Sequence, residues 1–141
     1  MIDADLRHPN VAKTLGLEPK VGLVEFLAGQ VSLDDVLILD EASGMYVLPV
    51  IAGSACANPP DLLGSASMRA LLDKLKTEFA LVLLDSAPVL VVSDTRVLGQ
   101  ACDKLVFIAK WEETPRTAAV EAVQVLRQFE VDIAGVVFSR L

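Results

Sequence analysis

The chain has 141 residues, of which 53% are hydrophobic and 22% are charged, and its formal net charge is −7. This composition is typical of one globular domain over residues 1–141 and excludes a disordered polymer. An acidic chain without a Lys/Arg cluster is not expected to bind nucleic acid through a general basic surface, although a local loop can still bind phosphate. We find neither a secretory leader nor an apolar run long enough to span a bilayer, which predicts a cytoplasmic domain.

The predicted elements alternate between strands and helices. The first half of the chain is predicted to contain a strand stub at Met1-Ile2, short helices in GLVEFLAG and SLDDVLI, a strand over Tyr46–Val50 and a long loop over Ala52–Asp61. A helix capped by Ser65 and a strand over Leu81–Asp85 follow. The last part is predicted to contain a helix from about Asp94 to Ala101, a strand over Lys104–Lys110, a helix from Thr114-Pro115 to about Phe129, and a strand over Ile133–Phe138. This order implies right-handed crossovers. The predicted fold class is therefore α/β, a mainly parallel sheet with helices on both faces.

The burial of these elements can also be predicted. The later strands are apolar without alternation, which is typical of strands covered on both faces. In the helix after Ser65, one face carries the apolar side chains Met68, Leu71, Leu72 and Leu75. In the last helix, Val120, Val123 and Leu126 are expected to face the sheet, and Arg127 to point outward. Cys56 and Cys102 form no CxxC pattern, which favours two reduced, buried thiols over a metal or redox site.

Acidic residues follow two of the predicted strands. Asp3 and Asp85 each close an apolar strand, and ligands of α/β sheets bind beyond the carboxyl ends of strands. If these strands are neighbours, they lie roughly 5 Å apart and their carboxylates can converge on one hydrated Mg²⁺. Asp5 and Arg7 continue the first loop, and a guanidinium suits phosphate. The alternative is that Asp85 caps a turn and the first acids are merely solvated.

Several segments resemble one known family. IDADLRHP is similar to the Walker A′ motif, and LVLLDSAP to the Walker B motif, of the bacterial tyrosine kinases associated with capsule and exopolysaccharide synthesis. The similarity continues through GLVEFLAGQVSLDDVL, NPPDLLGS, VSDTRVL and TPRTAAVEAVQVLRQ, and so covers essentially the whole chain.

The resemblance implies a P-loop α/β domain that transfers the γ-phosphate of ATP to tyrosines, usually of a neighbouring copy in a homo-oligomer. It makes Asp3 and Asp5 the catalytic Walker A′ acids, one activating the tyrosyl hydroxyl and the other ordering Mg²⁺. The resemblance also makes Asp85 the Walker B acid, which binds the cofactor together with Arg7. It implies that Asp5 and Asp85 bind the metal ion. It also implies a transmembrane chain-length regulator, fused or separate, which would hold the domain at the inner face of the cell membrane.

The sequence departs from the family at specific positions. It contains no GxxxxGK[ST] pattern, so the P-loop, its lysine and its metal-binding hydroxyl are missing. We therefore expect a partial domain that lacks the family's N-terminal strand and P-loop helix, exposes apolar surface, and is marginally stable or associates. Ser139 stands where the family often has Asn. Tyr46, the single tyrosine, is expected to have a core or edge role.

Other functions and roles remain open at this point. A domain without its nucleotide loop can be a non-catalytic interaction module of the polysaccharide machinery, and a partition-type ATPase is a further alternative. His8 is interpreted as a solvated residue, with a phosphate or ribose contact as the alternative. Arg116 is likewise interpreted as solvated, with a contact to a partner or a phosphate as the alternative. Trp111 is interpreted as having a surface or lid role, with stacking on adenine as the alternative.

Overall fold

The computed structural model describes residues 1–54 and 56–140. Position 55 of the predicted long loop and position 141 after the predicted last strand lie outside the described residues. Contacts divide the chain into two compact units, Met1–Ala87 and Pro88–Leu141. The interpretation of residues 1–141 as one domain stays a prediction.

Each unit combines helices with strands. The first contains β1 (Ile2–Asp3), α1 (Val11–Thr14), α2 (Leu23–Leu27), α3 (Leu33–Val36), β2 (Ile38–Asp40), β3 (Met45–Val47), α4 (Pro59–Leu63), α5 (Ala66–Glu78) and β4 (Leu84–Asp85). The second contains α6 (Asp94–Ala101), β5 (Leu105–Lys110), α7 (Arg116–Gln128) and β6 (Ile133–Ser139). Helices combined with parallel strand pairs confirm the predicted α/β class.

The strand β1 lies at the centre of the first unit. It pairs in parallel with β4, with Ile2 opposite Leu84, and Ile2 also forms a parallel bridge to Leu48. Backbone N–H groups on both sides of β1 are satisfied, because Ile2 donates to Leu83 at 2.7 Å and Asp3 donates to Leu48 at 2.9 Å. Ile2 is fully buried. The predicted stub is therefore a buried central strand, although it is only two residues long.

The hairpin formed by β2 and β3 was not predicted. These strands are antiparallel, with Ile38 opposite Val47, whereas the sequence predicted a short helix through SLDDVLI. The helix α3 ends at Val36 instead. The turn is held by Asp40, whose Oδ2 accepts bonds from Ser43 N and Oγ, and by Gly44 at φ 70°. A glycine at positive φ closes such a turn without strain.

The helix α5 forms as predicted. The hydroxyl of Ser65 accepts a 3.1 Å bond from Met68 N–H, which satisfies one of the unpaired donors at the helix start. All four side chains predicted to share its apolar face are buried, namely Met68, Leu71, Leu72 and Leu75. The predicted loop before it is shorter than expected, because α4 begins at Pro59, where proline fits the first helical turn.

The second unit packs α7 against the parallel pair of β5 and β6. Its buried apolar cluster consists of Val89, Ala122, Leu126 and Val131, with Leu105, Phe107, Val125 and Ile133 packed against it. The helix α6 has the predicted bounds. Its Gly99 contacts Val131 so closely that a β-carbon would lie 2.8 Å from that side chain. Even alanine at position 99 would therefore require the Val131 side chain to shift.

Two details of the predicted burial and one predicted helix boundary are wrong. Val120 is 48% exposed, because the buried stripe of α7 is centred on Ala122 and Leu126 and Val120 lies on the flank of that stripe, beside the strand residues Val136 and Phe138. Pro115 is the N-cap of α7 and not its first helical residue. Cys56 and Cys102 are half-buried and not buried.

The strands are also less covered than predicted. Only Leu84 and Asp85 of the run Leu81–Asp85 pair as β4, and Leu81 is 71% exposed. In β5, burial alternates, with Ile108 64% exposed while Ala109 is buried. An apolar run indicates which residues a strand can bury, but packing partners decide whether both faces are covered.

Candidate active site

The acidic edge, defined here as Asp3, Asp5 and Asp85, lies in the first unit. Asp3 ends β1 and Asp85 ends β4, and the parallel register places these two residues directly opposite each other. Neighbouring strands lie about 4.8 Å apart. The two residues therefore end neighbouring strands at the same edge of the sheet, whereas the convergence of their carboxylates on one cation stays a prediction.

Asp3 is a fully buried carboxylate that organises the loop after β1. Its Oδ1 accepts a bond from Asp5 N–H at 3.2 Å, and its Oδ2 accepts bonds from Asn10 and Val11 N–H at 3.1 Å each. Burial raises the pKa of Asp3, the three N–H bonds oppose that shift, and the negative charge of Asp85 adds to it. The side chain thus ties the start of the loop to the start of α1.

Asp5 forms the turn that carries the next residues. Its Oδ1 accepts bonds from Arg7 N–H at 3.1 Å and His8 N–H at 2.9 Å. This is the Asx pattern by which a short carboxylate fixes a backbone turn. The side chains of Arg7 and His8 are exposed as a result. Of the predicted site residues, the loop therefore brings Asp5 to the edge and displays Arg7 toward solvent.

Asp85 is exposed and electrostatically linked to Asp5. Partial desolvation by the surrounding protein raises the pKa of Asp85, and the charge of Asp5 raises it further. A carboxylate whose pKa is raised by a neighbouring negative charge marks a place where a cation would relieve repulsion. Among residues 1–54 and 56–140, no cluster of three or more His, Cys, Asp or Glu side chains is arranged to hold a metal ion.

Sequence reasoning missed the two backbone donors that bind Asp3. Asn10 is the N-cap of α1, a helix that was not predicted, and the N–H groups of Asn10 and Val11 bond to Asp3. The available signal was Asn10 itself, because asparagine before the apolar pair Val11-Ala12 is a typical helix start. Four residues of helix are too few for a periodic pattern to appear.

The other residues weighed from the sequence have separate roles. Tyr46 lies in β3, is 44% exposed and packs edge-on against Phe79. In the second unit, Trp111 is 45% exposed and meets Phe138 edge-on, with the Arg140 guanidinium 5.2 Å from its ring centre. Arg116 is exposed at the start of α7.

The whole chain is similar to known proteins, and these indicate its family. No protein-family model matches the chain. The crystal structure of the VpsO kinase domain superposes with a TM-score of 0.92 at 35% identity, over 99% of this chain and 68% of that one. The chain belongs to the bacterial tyrosine kinase family. Its fold is accordingly the P-loop NTPase-like fold of bacterial tyrosine kinase domains.

The chain spans only part of the length of its curated relatives, and two of them are much longer. The putative tyrosine-protein kinase EpsB of Ralstonia solanacearum is 31% identical over the whole chain, which spans 18% of EpsB. The succinoglycan biosynthesis transport protein ExoP of Rhizobium meliloti is 26% identical over 99% of the chain, which again spans 18% of that protein. Relatives of the chain are thus tyrosine kinases and a polysaccharide transport protein by name.

Proposed function

We propose that the chain supplies the Walker A′ and Walker B acids of an ATP-dependent protein-tyrosine autokinase that regulates exopolysaccharide or capsule biosynthesis and export. The observation that carries this proposal is the parallel pairing of Asp3 with Asp85, with Asp5 in the adjoining loop. Similarity to EpsB and to the VpsO kinase domain supports a protein kinase reaction. Kinship with ExoP supports the polysaccharide context.

The proposed roles follow from where each side chain lies. Asp3 and Asp5 are the catalytic candidates, one of them accepting the proton of the substrate tyrosine. Asp5 and Asp85 are the proposed metal-binding pair, and Arg7 is proposed to contact phosphate because it is an exposed arginine on the same loop. Phosphoryl transfer depends chiefly on positioning and on neutralising charge, which acids, a cation and a guanidinium can provide together.

The acidic edge fits a hydrated magnesium ion. Mg²⁺ retains several waters and needs only one or two carboxylates besides phosphate oxygens, so a pair such as Asp5 and Asp85 is sufficient. Their mutual repulsion, which raises the pKa of Asp85, would be relieved by a cation. When bound, the ion would supply charge neutralisation for the β- and γ-phosphates.

The triphosphate fits less well, because the 141 residues contain no GxxxxGK[ST] pattern. Without backbone donors and the lysine of that loop, the edge presents mainly negative charge to ATP. We expect the chain alone to bind Mg·ATP weakly. A fusion that places the P-loop strand and helix of the VpsO kinase domain before Met1 is expected to bind it at least tenfold more tightly, roughly 1.4 kcal/mol.

Calorimetric titration of the chain and of this fusion with Mg·ATP tests the proposal, together with transfer of labelled γ-phosphate to a tyrosine peptide. Asp85→Asn in the fusion should abolish transfer, whereas Asp73→Asn, an exposed change on α5, should not. Equally tight binding by both proteins would contradict the need for an added P-loop. A fusion that binds nucleotide but never transfers phosphate would overturn the kinase function.

The wider context is part of the same proposal. We place the domain at the inner face of the cell membrane, through a transmembrane chain-length regulator that is fused to it or separate, with neighbouring copies as substrates. None of the helices in the described part of the chain is long and apolar enough to cross a membrane. Co-purification of the fusion with a membrane fraction that contains the regulator, and not with one lacking it, tests this placement.

A non-catalytic module of the polysaccharide machinery is the second candidate, favoured by the absence of a P-loop pattern from the sequence. The same titrations separate it from the kinase, because such a module should bind no nucleotide in either form. A partition-type ATPase would hydrolyse ATP in the fusion without phosphorylating tyrosine. Measuring released phosphate beside phosphotyrosine distinguishes the two enzymes.

A further inference from the structure

A large groove lies between α7 and one face of the β5–β6 pair, entirely within the second unit. Its volume is about 730 Å³. The floor is apolar, formed by Phe107, Val136 and Phe138 on the strands and by Val120 and Val123 on the helix. Neither the acidic edge nor any other residue of the first unit contributes to it, so the groove is separate from the residues proposed for phosphoryl transfer.

The groove exposes large apolar side chains side by side. Phe138 is 62% exposed, Val120 48% and Val136 45%. Single exposed apolar residues are ordinary on protein surfaces, but a contiguous apolar patch rimmed by polar residues marks a binding surface. The volume is within the range of pockets that hold sizeable ligands. The charge of the rim indicates which occupant fits.

The rim is positively charged although the chain is strongly acidic. Arg116 and Arg127 line the groove at the two ends of α7, while the net charge of the chain is −7. Lys110 also lines it, but its ammonium is engaged by Glu113 at 3.1 Å. Glu112 is the acidic residue among those lining the groove. The charge at the rim thus complements an acidic occupant.

The spacing of the two arginines specifies the shape of that occupant. They are eleven positions apart on one helix, which is about 16 Å along the axis and close to three full turns. Both therefore lie on the same face of α7. A second helix running beside α7 has the same period, so acids eleven positions apart on its own surface can meet both arginines at once.

We propose that this groove binds an amphipathic α-helix of a partner polypeptide. The partner helix buries an apolar stripe over Phe138, Val136 and Val120, and carries acidic side chains opposite Arg116 and Arg127. Helix-in-groove recognition uses this combination of apolar anchors and flanking charges. The inference does not depend on the kinase function, because all of its residues belong to the second unit.

Two synthetic helical peptides of 18 residues provide the probe. Both carry leucine at i, i+3, i+4, i+7 and i+11; the acidic peptide has glutamates eleven positions apart on the flank of that stripe, and the basic peptide has lysines there. Trp111 is the only tryptophan of the sequence and lines the groove, so its fluorescence reports occupancy. We expect the acidic peptide to blue-shift Trp111 emission and to bind about tenfold more tightly than the basic peptide.

Charge reversal on the protein sharpens the test. The double variant Arg116→Glu/Arg127→Glu should prefer the basic peptide, whereas Lys20→Glu, an exposed change in the first unit, should keep the preference of the unchanged chain. Circular dichroism checks that the variants fold. Equal binding of both peptides, binding without any response of Trp111, or dimerisation of the chain that Arg116→Glu/Arg127→Glu abolishes would each overturn the proposal.

Discussion

Asp3 combines complete burial with three backbone N–H bonds. A buried ion is tolerated only when its charge is compensated, and here the compensation comes from the chain's own loop. The consequence is that Asp3 orders the segment between β1 and α1, on which Asp5 and Arg7 are displayed. Its contribution to stability and its proposed part in catalysis can be separated by experiment.

Replacing Asp3 by asparagine is expected to destabilise the chain by about 1–3 kcal/mol. The amide would turn an NH₂ group toward backbone N–H donors, which would leave at least one donor of Asp5, Asn10 or Val11 unsatisfied. Removing the charge of Asp3 also relieves its repulsion with Asp85, but this gain in stability is smaller than the loss, because Asp85 is exposed and water screens its charge. Urea unfolding measures the change, with Asp73→Asn as the matched control. Equal stability of the two variants would contradict this account of the loop.

Replacing Asp85 by asparagine should have the opposite effect on stability. Its pKa is raised from 3.8 in the folded chain, so the folded state binds the proton more tightly than the unfolded state does. Stability therefore falls as pH rises from 3.8 through the raised value, and it stays lower at pH 7. Asp85→Asn is expected to stabilise the chain at pH 7 by a few tenths of a kcal/mol, because solvent screens this exposed group.

Urea unfolding of Asp85→Asn and of the unchanged chain at pH 4 and pH 7 checks this sign. The advantage of the variant should be larger at pH 7 than at pH 4. Glu78→Gln, on the surface of α5, serves as a control for the general effect of removing one negative charge. A variant that is less stable than the unchanged chain at pH 7 would show that Asp85 is held by favourable contacts.

At the scale of elements, α7 divides into two functionally different sides. Leu126 is fully buried in the second unit, whereas Val120 projects into the groove. The same helix therefore stabilises its unit with one face and offers the other for binding. The stabilising face is centred on an i, i+4 pair, Ala122 and Leu126, which is the spacing that places two side chains on one side of a helix.

Leu126→Ala is expected to destabilise the second unit by about 2–5 kcal/mol, through lost burial and the cavity left behind. Val120→Ala removes an exposed side chain and should change stability by no more than about 0.5 kcal/mol. Thermal unfolding followed by circular dichroism at 222 nm compares the two. Should Val120→Ala prove as costly as Leu126→Ala, the division of α7 into two sides would be wrong.

On the scale of the whole molecule, exposed apolar side chains coexist with a strong negative charge. Leu81 is 71% exposed and Ile108 64%, and the net charge is −7. The exposed apolar groups favour association of copies of the chain, whereas the repulsion between their negative charges opposes it. The balance depends on pH, since the sequence has an isoelectric point of 4.6.

Light scattering is expected to rise as the pH is lowered from 8 toward 4.6, because the repulsion disappears while the apolar surface remains. The double variant Leu81→Ser/Ile108→Ser should reduce that rise, and Lys20→Ser, an exposed polar position, should not. Circular dichroism at each pH separates association from unfolding. Scattering that is unchanged at the isoelectric point would mean that the exposed apolar residues do not drive association.

The sequence by itself determined the α/β class, the bounds of α6, the capped helix α5 and the family. These depend on local signals: apolar periodicity, Ser65 as an N-cap, and motifs read in register along the chain. It also predicted that Asp3 and Asp85 would each end a strand at the same edge of the sheet, because the carboxyl ends of parallel strands share an edge; the structure decided that these two strands are neighbours.

Only the tertiary structure decided which predicted surfaces are covered and what each carboxylate contacts. The hairpin of β2 and β3, the exposure of Val120 and Leu81, and the bonds from Asn10 and Val11 to Asp3 involve partners that a periodic pattern does not name. Burial and hydrogen bonding are properties of pairs of residues distant along the chain. A local pattern records what a residue can bury, and packing selects what it does bury.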